Sequence, residues 1–392
     1  MISLLLALSM ADDWPQWRGP GRNGISSESG WLDSWPGEGP KIAWKAEVGT
    51  GFASFAVAKG RVFTLGNADD NDRVFCLDAG TGRALWSHGY PAEADPNQFE
   101  GGPTSTPTVD GDRVFTLGRK GELFCFEAAT GKIAWSKNVQ KEAGAPVPGW
   151  GFSGSPLVYE DLLILNVGEA GLALEKATGR VAWKSAAREP GYSTPFPLKR
   201  GDGWLVLLGS GKSYLAVDLR TGREAWSLRW NTQFGVNAAD PVVDGDRVFI
   251  SSGYGKGAAL LKLGAGEPEI TWQSKVMRNQ MNPSVLLDGH LYGIDGNTDQ
   301  TALKCIEFST GSEKWSSPIT GAGSVTAADG KLLVLTGDGE LMVAPASPDG
   351  FKPTARAKVL DGKCWTVPVL ANGRIYARNA EGRVVCVDLR KP

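Results

Sequence analysis

Seven short segments of this sequence set aromatic or amide side chains beside glycine or a second polar group. They are Gly51-Phe52, Phe99-Glu100-Gly101, Trp150-Gly151-Phe152, Gly191-Tyr192-Ser193, Gln233-Phe234-Gly235, Arg278-Asn279-Gln280 and Cys364-Trp365. Aromatic faces joined by a few convergent polar groups are the material of a small-molecule pocket. Phe52, Phe99, Glu100, Trp150, Phe152, Tyr192, Gln233, Asn237, Arg278, Asn279, Gln280 and Trp365 therefore form the candidate ligand-binding set. Glycine at these places also serves turns, where it adopts backbone angles other residues avoid. Glu100, Asn237 and Asp240 carry oxygen atoms of the kind calcium prefers.

Other chemistry has little material. The two histidines, His88 two residues after a tryptophan and His290 in an Asp-Gly-His turn, are expected in exposed loops. No GxSxG, P-loop or HExxH motif occurs. The polar segments at residues 67–72 and at Asn297-Thr298-Asp299-Gln300 read as solvated hairpin tips rather than calcium loops. Of five cysteines, Cys76, Cys125, Cys305 and Cys386 recur at one place within short strands, and no two are adjacent or in a CxxC pair. This is the pattern of small buried thiols, not of a disulfide framework or a zinc site. No catalytic residue and no metal ligand is assigned from these patterns.

Charge excludes further classes. Lys and Arg number 41 against 43 Asp and Glu, and no basic run suggests nucleic acid. Residues 2–8 are apolar and are followed by Ser9-Met10-Ala11, which marks residues 1–11 as an expected signal peptide cleaved before Asp12. No later stretch is apolar for the length a spanning helix needs. The mature chain is expected to be exported, to the periplasm or outside the cell, with no transmembrane segment.

The elements that must position the candidate residues follow from an internal repeat. GTGRALW, ATGKIAW, ATGRVAW, RTGREAW and STGSEKW end at Trp86, Trp135, Trp183, Trp226 and Trp315, with degenerate copies at Trp44 and Trp272. Successive spacings of 42, 49, 48, 43, 46 and 43 residues match one propeller blade of four strands. Within residues 105–137, Asp110-Gly111, the Gly118 to Gly121 turn and Thr130-Gly131 separate β-branched and aromatic runs too short for helices. The expected fold is all-β: an eight-bladed propeller over residues 41–392, seven blades being the alternative. Residues 41–45 form a lone fourth strand, and the chain ends on three, so the N-terminal strand should close the last blade and remove the open edges. Residues 12–40, rich in Trp, Pro and Gly, are expected to wrap over the outside or one face. In such a disc the loops entering the innermost strands gather at the axis, which brings the candidate set together.

The strand ending in Asp, followed by Ala-Thr-Gly-Lys/Arg and then Trp, resembles the tryptophan-docking repeat of pyrroloquinoline-quinone-like propellers. The resemblance covers roughly residues 41–389. That superfamily holds quinoprotein alcohol dehydrogenases and BamB-type subunits of outer-membrane protein assembly, and similar WPQWRGP leaders occur in its exported members. The resemblance implies a structural role for Trp44, Trp86, Trp135, Trp183, Trp226, Trp272 and Trp315, each packed between neighbouring blades. It implies two functions. The leading one is a non-catalytic scaffold of the cell envelope or extracellular space, presenting proteins, peptides or carbohydrate to one face of the disc, or binding a small molecule in its central funnel. The alternative is a small quinoprotein oxidoreductase acting on an alcohol or sugar, with pyrroloquinoline quinone and calcium near Glu100, Asn237 and Asp240. The dehydrogenases' vicinal disulfide and long insertions are missing here, so neither cofactor is expected. The lipoprotein cysteine of BamB is also missing after the leader, since the first cysteine is Cys76. A WD40-type scaffold is disfavoured, because its Gly-His and Trp-Asp pairs do not match this repeat.

Overall fold

The structure, a computed structural model, describes residues 12–95, 99–298 and 300–391. The expected signal peptide, residues 1–11, and Asp299 lie outside the described residues.

Eight four-stranded antiparallel sheets follow one another along the described chain. Blade 1 is Ala56–Ala58, Arg61–Ala68, Asn71–Asp78 and Ala84–Pro91, from the axis outward, and the next five blades repeat the order with inner strands at Thr108–Asp110, Leu157–Tyr159, Phe196–Arg200, Val242–Asp244 and Val285–Leu287. Blade 7 runs from Ser324–Ala328 to Ala355–Lys358 and carries an added parallel pair, Ile25–Ser26, on its inner strand. Blade 8 takes Val369–Ala371, Arg374–Arg378 and Arg383–Asp388 from the C-terminus and its outer strand, Lys41–Glu47, from the N-terminus. Second and third strands are buried between neighbouring blades and read as apolar runs, whereas outer strands such as Ile133–Asn138 are largely exposed. The one α-helix among the described residues, Val139–Ala143, is a single turn after blade 2.

The repeat motif explains itself in the seams. Asp78 accepts hydrogen bonds from the backbone of Gly80 and Thr81 and from the Thr81 hydroxyl, at 3.1, 2.8 and 2.8 Å, which shapes the turn. Gly82 follows with φ of 72°, and the six-membered ring of Trp44 lies so close that a Cβ there would meet it at 2.5 Å. Gly131, Gly179, Gly222 and Gly311 stand in the same way against Trp86, Trp135, Trp183 and Trp272. Each indole then donates across the seam: Trp44 to Ala79 O, Trp86 to Ala128 O, Trp135 to Lys176 O, Trp183 to Leu219 O and Trp272 to Phe308 O, all at 3.0 Å. Trp315 donates to Ser347 O at 2.8 Å, and Trp226 packs with Leu263. The register shifts just before each of these tryptophans, a β-bulge that turns the ring toward the next blade. The cysteines have their place in this design, since Cys76, Cys125, Cys305 and Cys386 lie directly opposite Trp86, Trp135, Trp315 and Trp44 in register.

Ring closure has its own clamp. The buried Arg378 of blade 8 donates to Leu65 O at 2.6 Å, Gly49 O at 2.8 Å and Ala53 O at 3.2 Å, all on the blade 1 side. Burial pulls its guanidinium down to about 9.

Three expectations need correction. His88 lies within strand Ala84–Pro91 and packs on Phe124 and Phe126, and His290 opens strand His290–Asp295, so both are half-buried rather than in exposed loops. Residues 67–72 are not a solvated tip: only Asp69 and Asp70 turn, while buried Asn67 donates to buried Asp72 at 2.8 Å. The leader crosses one face but does not stop there, because its first half enters the axis.

Candidate functional site

The leader reaches the axis through the face made by the inner hairpins. Trp14 pairs with Val57 of blade 1, and Pro15 O accepts from Val109 of blade 2 at 2.7 Å. Arg22 donates to Val158 O of blade 3, Arg18 to Ser284 O at the entry to blade 6, and Glu28 accepts from Gly373 of blade 8 at 2.6 Å. Gly19, with φ of 78°, packs under the Trp14 ring and turns the chain back, so that Ile25–Ser26 can pair with blade 7. These contacts close one end of the axial channel. What remains is a blind funnel of about 370 Å³ entered from the opposite face, with Trp17 among its lining residues.

Above Trp17 runs a belt of small polar groups. Thr106 Oγ1 accepts from Ser54 N, Ser155 Oγ from Thr106 N, Thr194 Oγ1 from Ser155 N and Asp240 Oδ1 from Thr194 N, at 3.1, 3.0, 3.1 and 2.7 Å. Each link joins one blade to the next. Thr106, Ser155, Thr194 and Asp240 all precede proline, which holds them extended at the mouth of an inner strand. Asp240 Oδ2 accepts from the Trp17 indole at 2.5 Å. Burial raises the Asp240 carboxyl to about 6, a rise opposed by the nearby Arg18 cation and by these hydrogen bonds. Burial in turn lowers Arg18 to about 10.

The mouth is aromatic. Trp365 stacks on Phe52 at 5.6 Å and meets the edge of Phe99 at 5.0 Å, while Lys363 lies over the Phe99 and Trp365 rings and bonds Glu100. In the adjoining sector Trp150 meets Tyr192 at 5.9 Å and Phe234 at 6.3 Å, and Phe234 meets Tyr254 at 5.4 Å. Phe99, Phe234 and Tyr254 have φ of 59°, 65° and 50°. Bulky residues seldom adopt that region, at a cost of about 1–3 kcal/mol each. The strain is held at the mouth, where Phe99 is 47% and Phe234 61% exposed.

Of the candidate set, Phe52, Phe99, Trp150, Tyr192, Gln280 and Trp365 line the funnel. The other six do not. Phe152 is buried with Phe115 and Val139 in the blade 2–3 core, and Gln233 faces solvent. Glu100 is taken by Lys363. Asn237 is buried and donates to Ser210 O and Trp230 O at 2.8 and 3.0 Å. Arg278 is paired with Asp295, and Asn279 donates to Ile294 O at 2.9 Å behind the wall. Thr104, Thr106, Arg119, Ser153, Ser155, Thr194, Asn282 and Trp17 line the funnel and were missed. The recurring polar residue before proline, Thr106-Pro107, Ser155-Pro156, Thr194-Pro195, Asp240-Pro241 and Asn282-Pro283, was the signal that could have found half of them.

A calcium-bound quinone would need several oxygen ligands at one point. Glu100, Asn237 and Asp240 do not supply it: Glu100 holds Lys363 through Oε1 and, like Asn237, is not among the lining residues, the Asn237 amide oxygen accepts from Ser252 Oγ behind the wall, and Asp240 is the one carboxylate among the described lining residues. No group of three or more His, Cys, Asp or Glu placed to hold a metal exists among the described residues. The donor set does not fit that cofactor.

A family profile described as "Outer membrane protein assembly factor BamB" matches residues 70–317. No curated protein matches the chain in sequence. Among solved structures, BamB from Moraxella catarrhalis shares 17% identity, with a TM-score of 0.64 over 88% of this chain and 99% of that one. A quinohemoprotein alcohol dehydrogenase from Comamonas testosteroni shares 14%, with a TM-score of 0.71 over 97% of this chain and 81% of that one. A europium-containing methanol dehydrogenase shares 13%, with a TM-score of 0.67 over 96% and 89%. At such identities the likeness is one of fold.

Proposed function

This chain belongs to the family described as outer membrane protein assembly factor BamB, and from that premise we propose that it is a non-catalytic binding propeller of the cell envelope or extracellular space. Its ligand, or a segment of a partner protein, enters the aromatic funnel. The observation that carries this reading is the mouth itself: Phe99 and Tyr254, with Phe234 packed on Tyr254 beside them and all three at positive φ, stand at a cavity that the chain's own leader shuts at the far end. Strain of this kind persists only where the surroundings enforce it, and it gathers at ligand clamps. No helix among the described residues is long and apolar enough to cross a membrane.

The quinoprotein reading has less support, because the acidic donors do not converge. One experiment separates the two. The mature protein is titrated with pyrroloquinoline quinone, with and without calcium, and assayed with alcohols and aldoses using an electron-accepting dye. Hydrogen exchange of the mouth loops is followed in parallel as an envelope extract is added. Binding without turnover predicts no stoichiometric quinone uptake, no dye reduction and slowed exchange around Phe99, Trp150 and Phe234. Stoichiometric quinone binding with dye reduction overturns it.

A further inference from the structure

We infer that the funnel recognises a neutral saccharide, its sugar faces stacked on the mouth aromatics and its hydroxyls bonded to the belt beneath. This rests on the binding reading above and adds the chemistry of the ligand.

Three features of the lining argue for it. First, the rings occupy two sectors, Phe52, Phe99 and Trp365 from blades 1, 2 and 8, and Trp150, Tyr192 and Tyr254 from blades 3 to 5. The electron-rich face of an aromatic ring attracts the partly positive C–H groups that line one side of a pyranose. Second, the polar lining is almost all neutral and able both to donate and to accept. Thr106, Ser155 and Thr194 each accept a backbone N–H from the neighbouring blade, a bond that uses the oxygen and leaves the hydroxyl proton for another acceptor. Asp240 keeps further lone pairs, Gln280 adds an amide in the remaining sector, and Asn282 adds an amide oxygen, its nitrogen being held by Gly323 O and Trp365 O. A polyol presents donors and acceptors in just this mixture.

Third, charge is balanced before any ligand arrives. Asp240 and Arg119 are the ionised groups among the described lining residues. Asp240 is countered by Arg18 from below, and Arg119 by Asp95 and Asp72 from outside the funnel. Neither is left to select a strongly charged ligand.

The competing occupants fit less well. A purely apolar ligand would cover the belt hydroxyls without bonding them, at about 1–3 kcal/mol for each group left unpaired. An extended peptide binds best by adding to a sheet edge, and on three of the eight blades the inner edge is already taken by the leader, at Val57, Val109 and Ala327.

The test is calorimetric titration of the mature protein with maltotriose, cellotriose and N,N′-diacetylchitobiose, with oligogalacturonate as the charged control and a panel of extended peptides as the alternative ligand. Saturable binding of a neutral sugar is expected, with affinity falling roughly tenfold or more in Trp150→Ala or Trp365→Ala and largely kept in Trp365→Phe. Thermal unfolding of each variant confirms that the propeller is intact. Sugar binding that neither alanine variant weakens overturns the placement in the funnel. Preference for oligogalacturonate overturns the neutrality. Peptide binding that depends on Trp150, with no sugar bound, overturns the saccharide while leaving the binding propeller in place. If neither sugar nor peptide binds, both readings fall.

Discussion

Replacing Asp240 by Asn should flatten the dependence of stability on pH. The Asp240 carboxyl is buried on the funnel wall, where desolvation raises it to about 6 from an ordinary 3.8. The folded state therefore binds a proton more tightly than the unfolded chain between these values. Stability contributed by this group is greatest at low pH and is lost as pH rises through about 6. Integrating proton binding for the two values gives a loss of about 3 kcal/mol in full, of which about 2 kcal/mol falls between pH 4.5 and pH 7. Asp240→Asn removes the titration and keeps the volume. Its amide also faces the Trp17 N–H with a donor, so the variant is expected to be offset by a constant amount at every pH. The informative quantity is the difference in unfolding free energy between pH 4.5 and pH 7, read from urea midpoints for wild type and variant. The variant should retain about 2 kcal/mol more of its pH 4.5 stability at pH 7. Parallel curves for the two proteins would refute the assignment of a raised, buried carboxyl at this position.

Gly222→Ala should cost far more than Gly245→Ala, although φ is 69° and 60°, because only the first Cβ meets an indole, that of Trp183 at 2.5 Å. Backbone strain alone is worth about 1–2 kcal/mol and the clash a further 1–3 kcal/mol; equal losses of melting temperature in the two variants would sink the docking account. Arg378→Met strips the closure of its clamp and leaves Gly49, Ala53 and Leu65 carbonyls short of a donor. A loss of about 3–5 kcal/mol is expected, with faster hydrogen exchange in Lys41–Glu47 than in the outer strand Glu224–Arg229, and uniform loosening of all seams would argue against a closure-specific role. The thiols of Cys76, Cys364 and Cys386 are pushed by burial to about 12, and those of Cys125 and Cys305 to about 11. Native protein at pH 8 should resist iodoacetamide at all five until it is unfolded, and prompt alkylation of a native thiol would contradict their placement.

The repeat, the blade count, the strand order and the shared last blade were legible in the sequence because they depend on local rules. Thr81 and its counterparts shape a turn, the following glycine admits a left-handed backbone, and a bulged strand presents Trp toward the next blade. Each of these acts within about ten residues and recurs with the period of one blade, so composition and spacing reveal it. The funnel was legible only in part. Its aromatic loops could be named because they precede inner strands, yet Glu100, Asn237, Arg278 and Asn279 carry the right atoms and spend them on Lys363, on carbonyls and on Asp295. A side chain's own chemistry does not say which partner will claim it, and the partners range from Trp230, 7 residues from Asn237, to Lys363, 263 residues from Glu100. The leader is the clearest case. Nothing local in Trp14-Pro15-Gln16-Trp17-Arg18 says that it will shut the axial channel, and its Trp17 bonds Asp240 from 223 positions away. The sequence determined the ring of blades, since near-neighbour contacts build it. Tertiary structure alone decided that the axis is a blind pocket and which groups face it, because those contacts exist only between segments that the finished ring brings together.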